Sequence, residues 1–208
     1  MTSEVRSTRK NLPLSRVYRL LEPGPVVLLT TAHDGRTDVM AMSWHTMLEF
    51  EPPLVGCVVS NRNFSFGLLQ ASGECAIAIP TAEIARQVVG VGNRSGRRPD
   101  KFRDFGLTPV PASRVAAPLV AECYANLECR VVDTTMVPTY GLFVLEVVKA
   151  WVDPAVKQPR TLHHRGRGLC SWSPVRRSAW RRAGSEGARP RPDRGPKSRR
   201  WSFLRDAH

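Results

Sequence analysis

Three polar clusters interrupt an otherwise apolar sequence, and their residue types are those that bind small anions. They read Met42-Ser43-Trp44-His45, Ser60-Asn61-Arg62-Asn63-Phe64-Ser65 and Ser95-Gly96-Arg97-Arg98-Pro99-Asp100-Lys101-Phe102. Arginine, lysine and short hydroxyl donors stabilise phosphate oxygens. The second cluster leads into a predicted helix, whose first amides would add to them. Together the clusters predict a site for a phosphorylated ligand.

Each cluster also has a purely structural interpretation. Serine and asparagine at strand ends commonly cap turns, and exposed arginine and lysine are commonly solvated. Trp44 could pack in a core, and His45 is more often a structural histidine than a catalytic base. A single cluster therefore decides nothing, and the prediction depends on all three occurring in order.

The sequence lacks the motifs of several other kinds of site. It contains no GxGxxG, GxxxxGK[ST], GxSxG or HExxH motif, so Rossmann-type nucleotide binding is not supported. Its cysteines lack CxxC or Cys/His spacing. We therefore expect no metal site, and we expect reduced thiols that pack as small hydrophobes. The five cysteines are Cys57, Cys75, Cys123, Cys129 and Cys170.

The elements that must position the clusters are mostly strands. Short apolar runs alternate with turn signals, which predicts a β-barrel or sandwich with a few short helices. A hairpin is predicted from Val26–Thr31 and Asp38–His45, with Asp34-Gly35 at its turn. A buried strand follows at Leu54–Ser60, because that run has no polar face. Helices are predicted at 64–71 and from Thr81 to Gly92.

The clearest alternation runs from Ala121 to Val131. Every second residue is apolar, which predicts a strand with one buried and one solvated face. The residues predicted to face solvent are Glu122, Tyr124, Asn126, Glu128 and Arg130.

The formal charge of +13 over 208 residues is concentrated near the C-terminus. Residues 165–208 hold 13 basic and 3 acidic residues, a net charge of +10, and the remainder carries +3. The body therefore has no strongly basic surface of the kind that binds nucleic acid. No window approaches the roughly 20 apolar residues of a membrane span. The start of the chain does not resemble a signal peptide, so we expect no membrane association and a cytoplasmic location.

The ordered clusters closely resemble flavoredoxin-like members of the flavin reductase-like family over residues 12–168. The resemblance lies in VVLLTT, HDG, VMAMSWHTMLEFEPPLVGCVVSNRNFSF, VVGVGNRSGRRPDKF, APLVAECYANLECRVVD and PRTLHHRGRG. It implies a mainly β FMN-binding split β-barrel with short helices, usually a homodimer with noncovalent FMN near the subunit interface. The implied function is electron transfer or flavin reduction, with NADH, NADPH or a protein as the redox partner.

The resemblance also implies roles for individual residues. Met42, Ser43 and Trp44 would line the flavin, and Ser95, Gly96 and Lys101 would close the phosphate end of the site. No side chain is assigned a catalytic role, because the flavin carries the redox chemistry, although His163 and His164 could approach the ring. Four further residues would serve the ribityl phosphate and the ring edge: Ser60, Asn61, Arg62 and Ser65.

Two departures from the family pattern concern the ligand. Asp38 and Ala41 replace the asparagine and threonine of a common NVMTMSW run, which removes one hydroxyl donor and adds a negative charge. We therefore expect weaker FMN affinity. The basic loop SGRRPDKF keeps Lys101 but differs from a common SGRDVDKF by Arg98 and Pro99.

The third departure is the end of the chain. The family continues after HHRGRG with a strand reading about FMVAGE, whereas this chain reads CSWSPV from Cys170. Codons for CSWSPV read one base out of register can give FMVAGE, so we infer a frameshifted translation from Cys170. The predicted organisation is an N-terminal segment at 1–20, a flavin-binding domain at 21–168 and a disordered Arg/Pro-rich tail at 169–208.

Two other functions remain open from the sequence. The basic tail, with Trp172, Trp180 and Trp201 for stacking, could bind nucleic acid. A split barrel could also bind another cofactor, such as pyridoxal phosphate or a haem-type group.

Overall fold

The structure is a computed structural model that describes residues 25–97 and 100–164, together with the backbone of 170–172. The segment 1–20 and residues 173–208 of the predicted tail lie outside the described residues. The chain divides into the units Met1–Pro174 and Val175–His208, and all described residues belong to the first. None of the helices described is long and apolar enough to cross a membrane.

Two hairpins open the fold. The first joins β1 (Val27–His33) to β2 (Arg36–Met42) through Asp34 and Gly35. Both turn residues have positive φ, at 48° and 69°, as the two-residue turns that match strand twist require. The second hairpin joins β3 (His45–Phe50) to β4 (Pro53–Val58). The predicted strand Asp38–His45 is therefore divided between β2 and β3 at Ser43 and Trp44.

The remaining elements alternate short helices with longer strands. Helices α1 (Phe64–Ser72), α2 (Ala85–Gly92), α3 (Lys101–Asp104) and α4 (Val137–Tyr140) are all short, and a 3-10 turn at Ala82–Ile84 precedes α2. The strands are β5 (Glu74–Ile79), β6 (Pro109–Val110), β7 (Leu119–Val120), β8 (Ala125–Asp133), β9 (Leu142–Val152), β10 (Leu162–His164) and β11 (Cys170–Trp172).

Seven antiparallel strands form the main sheet, in the order β2-β1-β5-β8-β9-β4-β3. Its two edges, β2 and β3, are consecutive in sequence and are joined through Ser43 and Trp44. Three extended residues span at most about 11 Å, whereas the edges of a flat seven-stranded sheet would lie about 29 Å apart. The sheet must therefore curl until its edges approach each other, which makes a split barrel with a seam at Ser43-Trp44.

Apolar side chains fill the barrel and also cover part of its outside. The interior cluster includes Leu29, Met42, Cys57, Leu69 and Phe143, all buried. A second cluster packs α2 and α3 against the outer face of β1 and β2. Burial raises the pKa of the Cys57 and Cys123 thiols to about 12. These thiols are thus buried among apolar side chains, as expected of small hydrophobes.

One face of β8 differs from its sequence prediction. Asn126 and Glu128 were expected to face solvent, but both are buried. The connection through β6 and β7 covers them, with Val115, Ala117 and Leu119 packed against β5. The prediction was wrong because alternation identifies two faces of a strand but not what lies over each.

The short pair of β10 and β11 extends the ordered pairing beyond the predicted boundary at 168. His163 pairs with Ser171, and Leu162 pairs with Trp172. Strand β10 also reaches the start of the barrel, because Val26 N donates to Leu162 O at 2.9 Å.

Candidate functional site

Residues in and around the connection from β4 to α1 line two cavities. One of about 340 Å³ is lined by Arg62, Ser65, Arg94, Ser95, Gly96 and Lys101 among others, and is called the basic cavity. The other, of about 610 Å³, is lined by Trp44, Ser60, Asn61, Phe66, Gln70 and Tyr140 among others, and is called the aromatic cavity. Both volumes lie within the range of about 300–1,000 Å³ that is usual for small-molecule sites.

The three sequence clusters therefore meet at these cavities, although not every residue faces one. Trp44, Ser60 and Asn61 line the aromatic cavity. The side chain of Met42 packs in the barrel interior and lines neither cavity. Ser43 lies at the seam between β2 and β3 and also lines neither cavity. The other predicted site residues line the basic cavity: Arg62, Ser65, Ser95, Gly96 and Lys101.

Several lining residues were not identified from the sequence. Met40 lines the basic cavity, as does Ala41, which the sequence had marked only as a departure. Arg94 lies there one residue before the predicted cluster, and its charge beside Ser95 was the available signal. Tyr140 is brought to the aromatic cavity by long-range strand pairing, so no local pattern could have indicated it.

The wall of the basic cavity contains a buried ion pair. Lys101 Nζ lies 2.9 Å from Asp38 Oδ1, and the two side chains are only 4% and 3% exposed. Ser65 Oγ donates to the other carboxylate oxygen, Asp38 Oδ2, at 2.5 Å. Helix α3 holds Lys101 in place, because Asp100 caps that helix by accepting from Arg103 N at 3.2 Å. Two predicted phosphate ligands thus already contact a carboxylate of the protein.

Gly96 is required at its position by the same carboxylate. A Cβ atom built on Gly96 would lie 2.4 Å from Asp38 Oδ1 and 2.6 Å from Oδ2, so any larger residue would clash. In the loop between α2 and α3, the backbone of Gly96 therefore packs directly against the Asp38 carboxylate. Ser65, Gly96 and Lys101 all converge on Asp38.

Among the described residues, two arginines provide the remaining positive charge of the basic cavity. Arg62 and Arg94 are exposed and line the cavity. In the part of the chain that the structure describes, neither guanidinium lies within ion-pair distance of a carboxylate. Arg94 instead stacks over the Phe105 ring at 5.7 Å. Both arginines are thus available to an anionic ligand.

The start of α1 adds to the positive potential of the basic cavity. Its first residues line this cavity, and its first turn contains no acidic residue among the described positions. The N-cap Asn63 makes no side-chain hydrogen bond to the first turn of this described helix. Free amides at a helix start favour negative charge. The helix and the two arginines therefore favour an anion at this end.

Backbone contacts around Gly141 position two aromatic residues of the aromatic cavity. Gly141 has φ of 66°, and a Cβ atom on it would lie 2.5 Å from Val59 O. Val59 N donates to Gly141 O at 2.9 Å, and Val58 N donates to Trp44 O at 3.0 Å. These contacts place Tyr140 and Trp44 at the cavity, where their side chains are 63% and 48% exposed.

The contacts of His45 and His163 are typical of structural histidines. His45 Nε2 lies 3.0 Å from Pro25 O, and burial lowers the pKa of His45 despite that backbone contact. His163 contacts Thr161 Oγ1 at 3.3 Å on β10. His163 and His164 line neither cavity. The described residues contain no cluster of three or more His, Cys, Asp or Glu able to hold a metal ion.

Comparison with known proteins gives the same assignment as the residue clusters. The family described as flavin reductase like domain matches residues 18–173. The reductase component of the 4-nitrophenol 4-monooxygenase/4-nitrocatechol 2-monooxygenase of Rhodococcus opacus is 29% identical over 166 residues, or 78% of this chain and 82% of that protein.

Solved structures support the fold. The FMN-binding domain of a flavin reductases-like enzyme from Shewanella baltica OS155 aligns with a TM-score of 0.66 at 28% identity, covering 78% of this chain and 92% of that one. Flavoredoxin of Desulfovibrio vulgaris (Miyazaki F) aligns with a TM-score of 0.69 at 22% identity, covering 88% of this chain and 100% of that one. The resemblance seen in the sequence is confirmed. With its curled seven-stranded sheet and its match over residues 18–173, the chain belongs to the flavin reductase-like family and has the FMN-binding split-barrel fold.

Proposed function

We propose that this chain is an FMN-dependent oxidoreductase that acts as a flavin reductase or as a flavoredoxin-like electron carrier. The observation that carries the proposal is the pair of cavities to which residues of the β4–α1 connection contribute, one basic and one aromatic. FMN has the same division, with an anionic phosphate at one end and a planar ring at the other. When bound, FMN supplies the hydride or electron chemistry.

The basic cavity suits the phosphate end of FMN. Arg62 and Arg94 offer guanidinium groups, which pair well with phosphate oxygens. Ser95 offers a hydroxyl, and α1 contributes the amides of its first turn. The donor set therefore fits a phosphorylated ligand even though Lys101 and Ser65 contact Asp38.

The aromatic cavity suits the ring end. Trp44, Phe66 and Tyr140 provide flat apolar walls, and such walls exclude water from a ring system. Asn61 and Gln70 lie in the same cavity, where amide groups could donate to or accept from a polar ring edge. The protein's part is thus to orient the ligand and to hold its polar edges.

Titration with FMN tests this proposal directly. We expect quenching of FMN fluorescence and a protein-bound flavin spectrum that bleaches after addition of NADH or NADPH under anaerobic conditions. Pyridoxal phosphate and haem are the comparison ligands. A protein that leaves FMN fluorescence unchanged and binds one of those ligands would overturn the proposal. Bleaching only with a reduced protein partner would favour the electron-carrier form.

A matched pair of variants tests the basic cavity. Arg62→Gln should weaken FMN binding measurably, by less than about tenfold, because it removes one of several contacts to phosphate. Arg103→Gln, an exposed arginine on α3 outside both cavities, should leave the affinity unchanged. Equal effects of the two variants would mean that net charge, not the cavity, governs binding.

We also propose that the chain forms a homodimer through the face that carries β3. Met47, Leu48 and Phe50 on this edge strand are 54%, 50% and 87% exposed, and exposed apolar edges of this kind are usually covered. Trp44 and Tyr140 continue the apolar surface at the aromatic cavity. A second copy on this face would also cover the cavity.

A further inference from the structure

Asp38 occupies an unusual position for a carboxylate at an anion site. It lies on the edge strand β2 opposite Thr31 of β1, is 3% exposed, and lines the basic cavity. Lys101 contacts one of its oxygens and Ser65 the other. The buried ammonium group of Lys101 and the buried hydroxyl of Ser65 are therefore already bonded to this carboxylate.

This arrangement changes the charge that an incoming phosphate meets. Lys101 is the buried cation of the basic cavity, and its ion pair with Asp38 leaves those two side chains with no net charge. Among the described residues that line the cavity, the remaining cations are Arg62 and Arg94. Both are exposed, so solvent weakens their attraction for an anion.

The packing around Gly96 leads to the same conclusion from sterics. The space beside the Gly96 backbone is filled by both carboxylate oxygens of Asp38, so closely that a single methyl group would not fit. A phosphate oxygen therefore cannot enter between Gly96 and Asp38 while Asp38 keeps this position. The carboxylate fills the place that the glycine backbone would otherwise offer.

We propose that Asp38 is the residue that sets phosphate affinity in this chain, so that flavin binds weakly through its phosphate and exchanges with solution. The inference rests on the proposed FMN function and deepens it. The chain then handles FMN as a diffusible substrate, as a reductase does, and not as a permanently bound group. Because phosphate contributes little, riboflavin binds almost as well as FMN.

The test compares FMN and riboflavin, which differ only in the phosphate, on three proteins. These are the unmodified chain, Asp38→Asn and Asp104→Asn. The last variant makes the same change of charge on an exposed residue of α3. Equilibrium fluorescence titration gives the affinities, and gel filtration of the flavin-loaded protein reports retention.

In the unmodified chain, FMN is expected to bind at most about tenfold more tightly than riboflavin, and to be lost on gel filtration. Asp38→Asn frees the charge of Lys101 while keeping the shape of the side chain. It is expected to raise FMN affinity by about tenfold or more, to leave riboflavin within about threefold, and to retain FMN on the column. Asp104→Asn is expected to leave both affinities unchanged.

Three outcomes overturn the inference. An FMN preference clearly above about tenfold in the unmodified chain does so without any variant, which covers the case that Asp38→Asn fails to fold. Equal changes for FMN and riboflavin in Asp38→Asn would show a structural effect and not phosphate recognition. A rise in FMN affinity in Asp104→Asn equal to that in Asp38→Asn would show a general effect of charge. If neither flavin binds any of the three proteins, the proposed function itself fails and the inference falls with it.

Discussion

The indole N–H of Trp151 donates to Glu128 Oε1 at 2.7 Å, and Glu128 has no solvent exposure. Ser113 N and Oγ also donate to this carboxylate, each at 3.0 Å, as does the amide of Arg114. Burial alone would raise the pKa of Glu128, but these hydrogen bonds outweigh it and the pKa is lowered. Glu128 is therefore ionised, and its hydrogen bonds with Ser113 and Arg114 hold the 109–120 connection against the barrel.

Glu128→Gln should lower the free energy of unfolding by about 2–3 kcal/mol, because charge-assisted hydrogen bonds are lost and a glutamine N–H would face the existing donors. Glu122→Gln is the control. Glu122 accepts only from Thr108 N in the described contacts, so about 1 kcal/mol or less is expected. Urea unfolding measures both. Equal losses would mean that the buried carboxylate has no special role.

Lys101→Met should destabilise the protein by about 3–5 kcal/mol, because it leaves the buried Asp38 carboxylate without its cation. The double variant Asp38→Asn with Lys101→Met should recover much of that loss. Lys149→Met, which removes an exposed lysine 4.8 Å above the Trp151 ring, should cost about 1 kcal/mol or less. Thermal and urea unfolding provide the comparison, and failure of the double variant to recover would argue against the ion pair.

His45 should make stability depend on pH. Its folded pKa lies below the ordinary value of 6.5 because of burial. The folded state then binds fewer protons than the unfolded state as the pH falls from 6.5 toward the folded value, so stability decreases across that window. His45→Gln should flatten the dependence between pH 5 and 7, and measurements at pH 8 separate the loss of the Pro25 contact. An unchanged slope would exclude His45 as the source.

The homodimer proposal predicts that Phe50→Glu yields a monomer. A charge on this 87% exposed side chain would have to be buried without a partner in the interface, which is strongly unfavourable. Thr37→Glu places the same charge on an exposed residue of β2, the opposite edge strand, and should leave the assembly intact. Light scattering during gel filtration gives the mass. A monomeric unmodified chain would refute the proposal at once.

The inferred frameshift gives a prediction for the end of the chain. Deleting residues 175–208 should shift the melting midpoint by no more than about 2–4 °C, which corresponds to about 1 kcal/mol for a chain of this size. Replacing the sequence from Cys170 with one that begins FMVAGE should raise the midpoint, because a longer apolar strand would then pair with β10 in place of the three-residue β11. Resequencing codons 168–178 tests the inference independently. A large fall in the midpoint on deletion would show that the present sequence is a genuine structural element.

The sequence predicted those features that depend on local patterns. The Asp34-Gly35 turn could be predicted because its positive φ values demand such residues, and the meeting of the three clusters followed from the family resemblance. The partners of Asp38 could not be predicted, because Ser65 and Lys101 lie far along the chain and meet it only through packing. The sequence likewise did not show which residues of β2 line the basic cavity. Met40 and Met42 share a face of β2, and Met40 lines the basic cavity while it also packs against the interior cluster that contains Met42. The sequence pattern does not show which of the two reaches the cavity.

The seam at Ser43-Trp44 has a consequence for the motions of the barrel. Separating β2 from β3 breaks no ladder between them, since each is an edge of the sheet, so this opening should cost less than global unfolding. The basic cavity takes Asp38, Met40 and Ala41 from β2, whereas the aromatic cavity takes Val58 from the end of β4, the partner of β3. A ligand that occupies both cavities would contact both sides of the seam and would stabilise the closed arrangement. Amide hydrogen exchange along β2 and β3 should then slow when such a ligand is bound, while exchange in the central strands β5 and β8 stays the same.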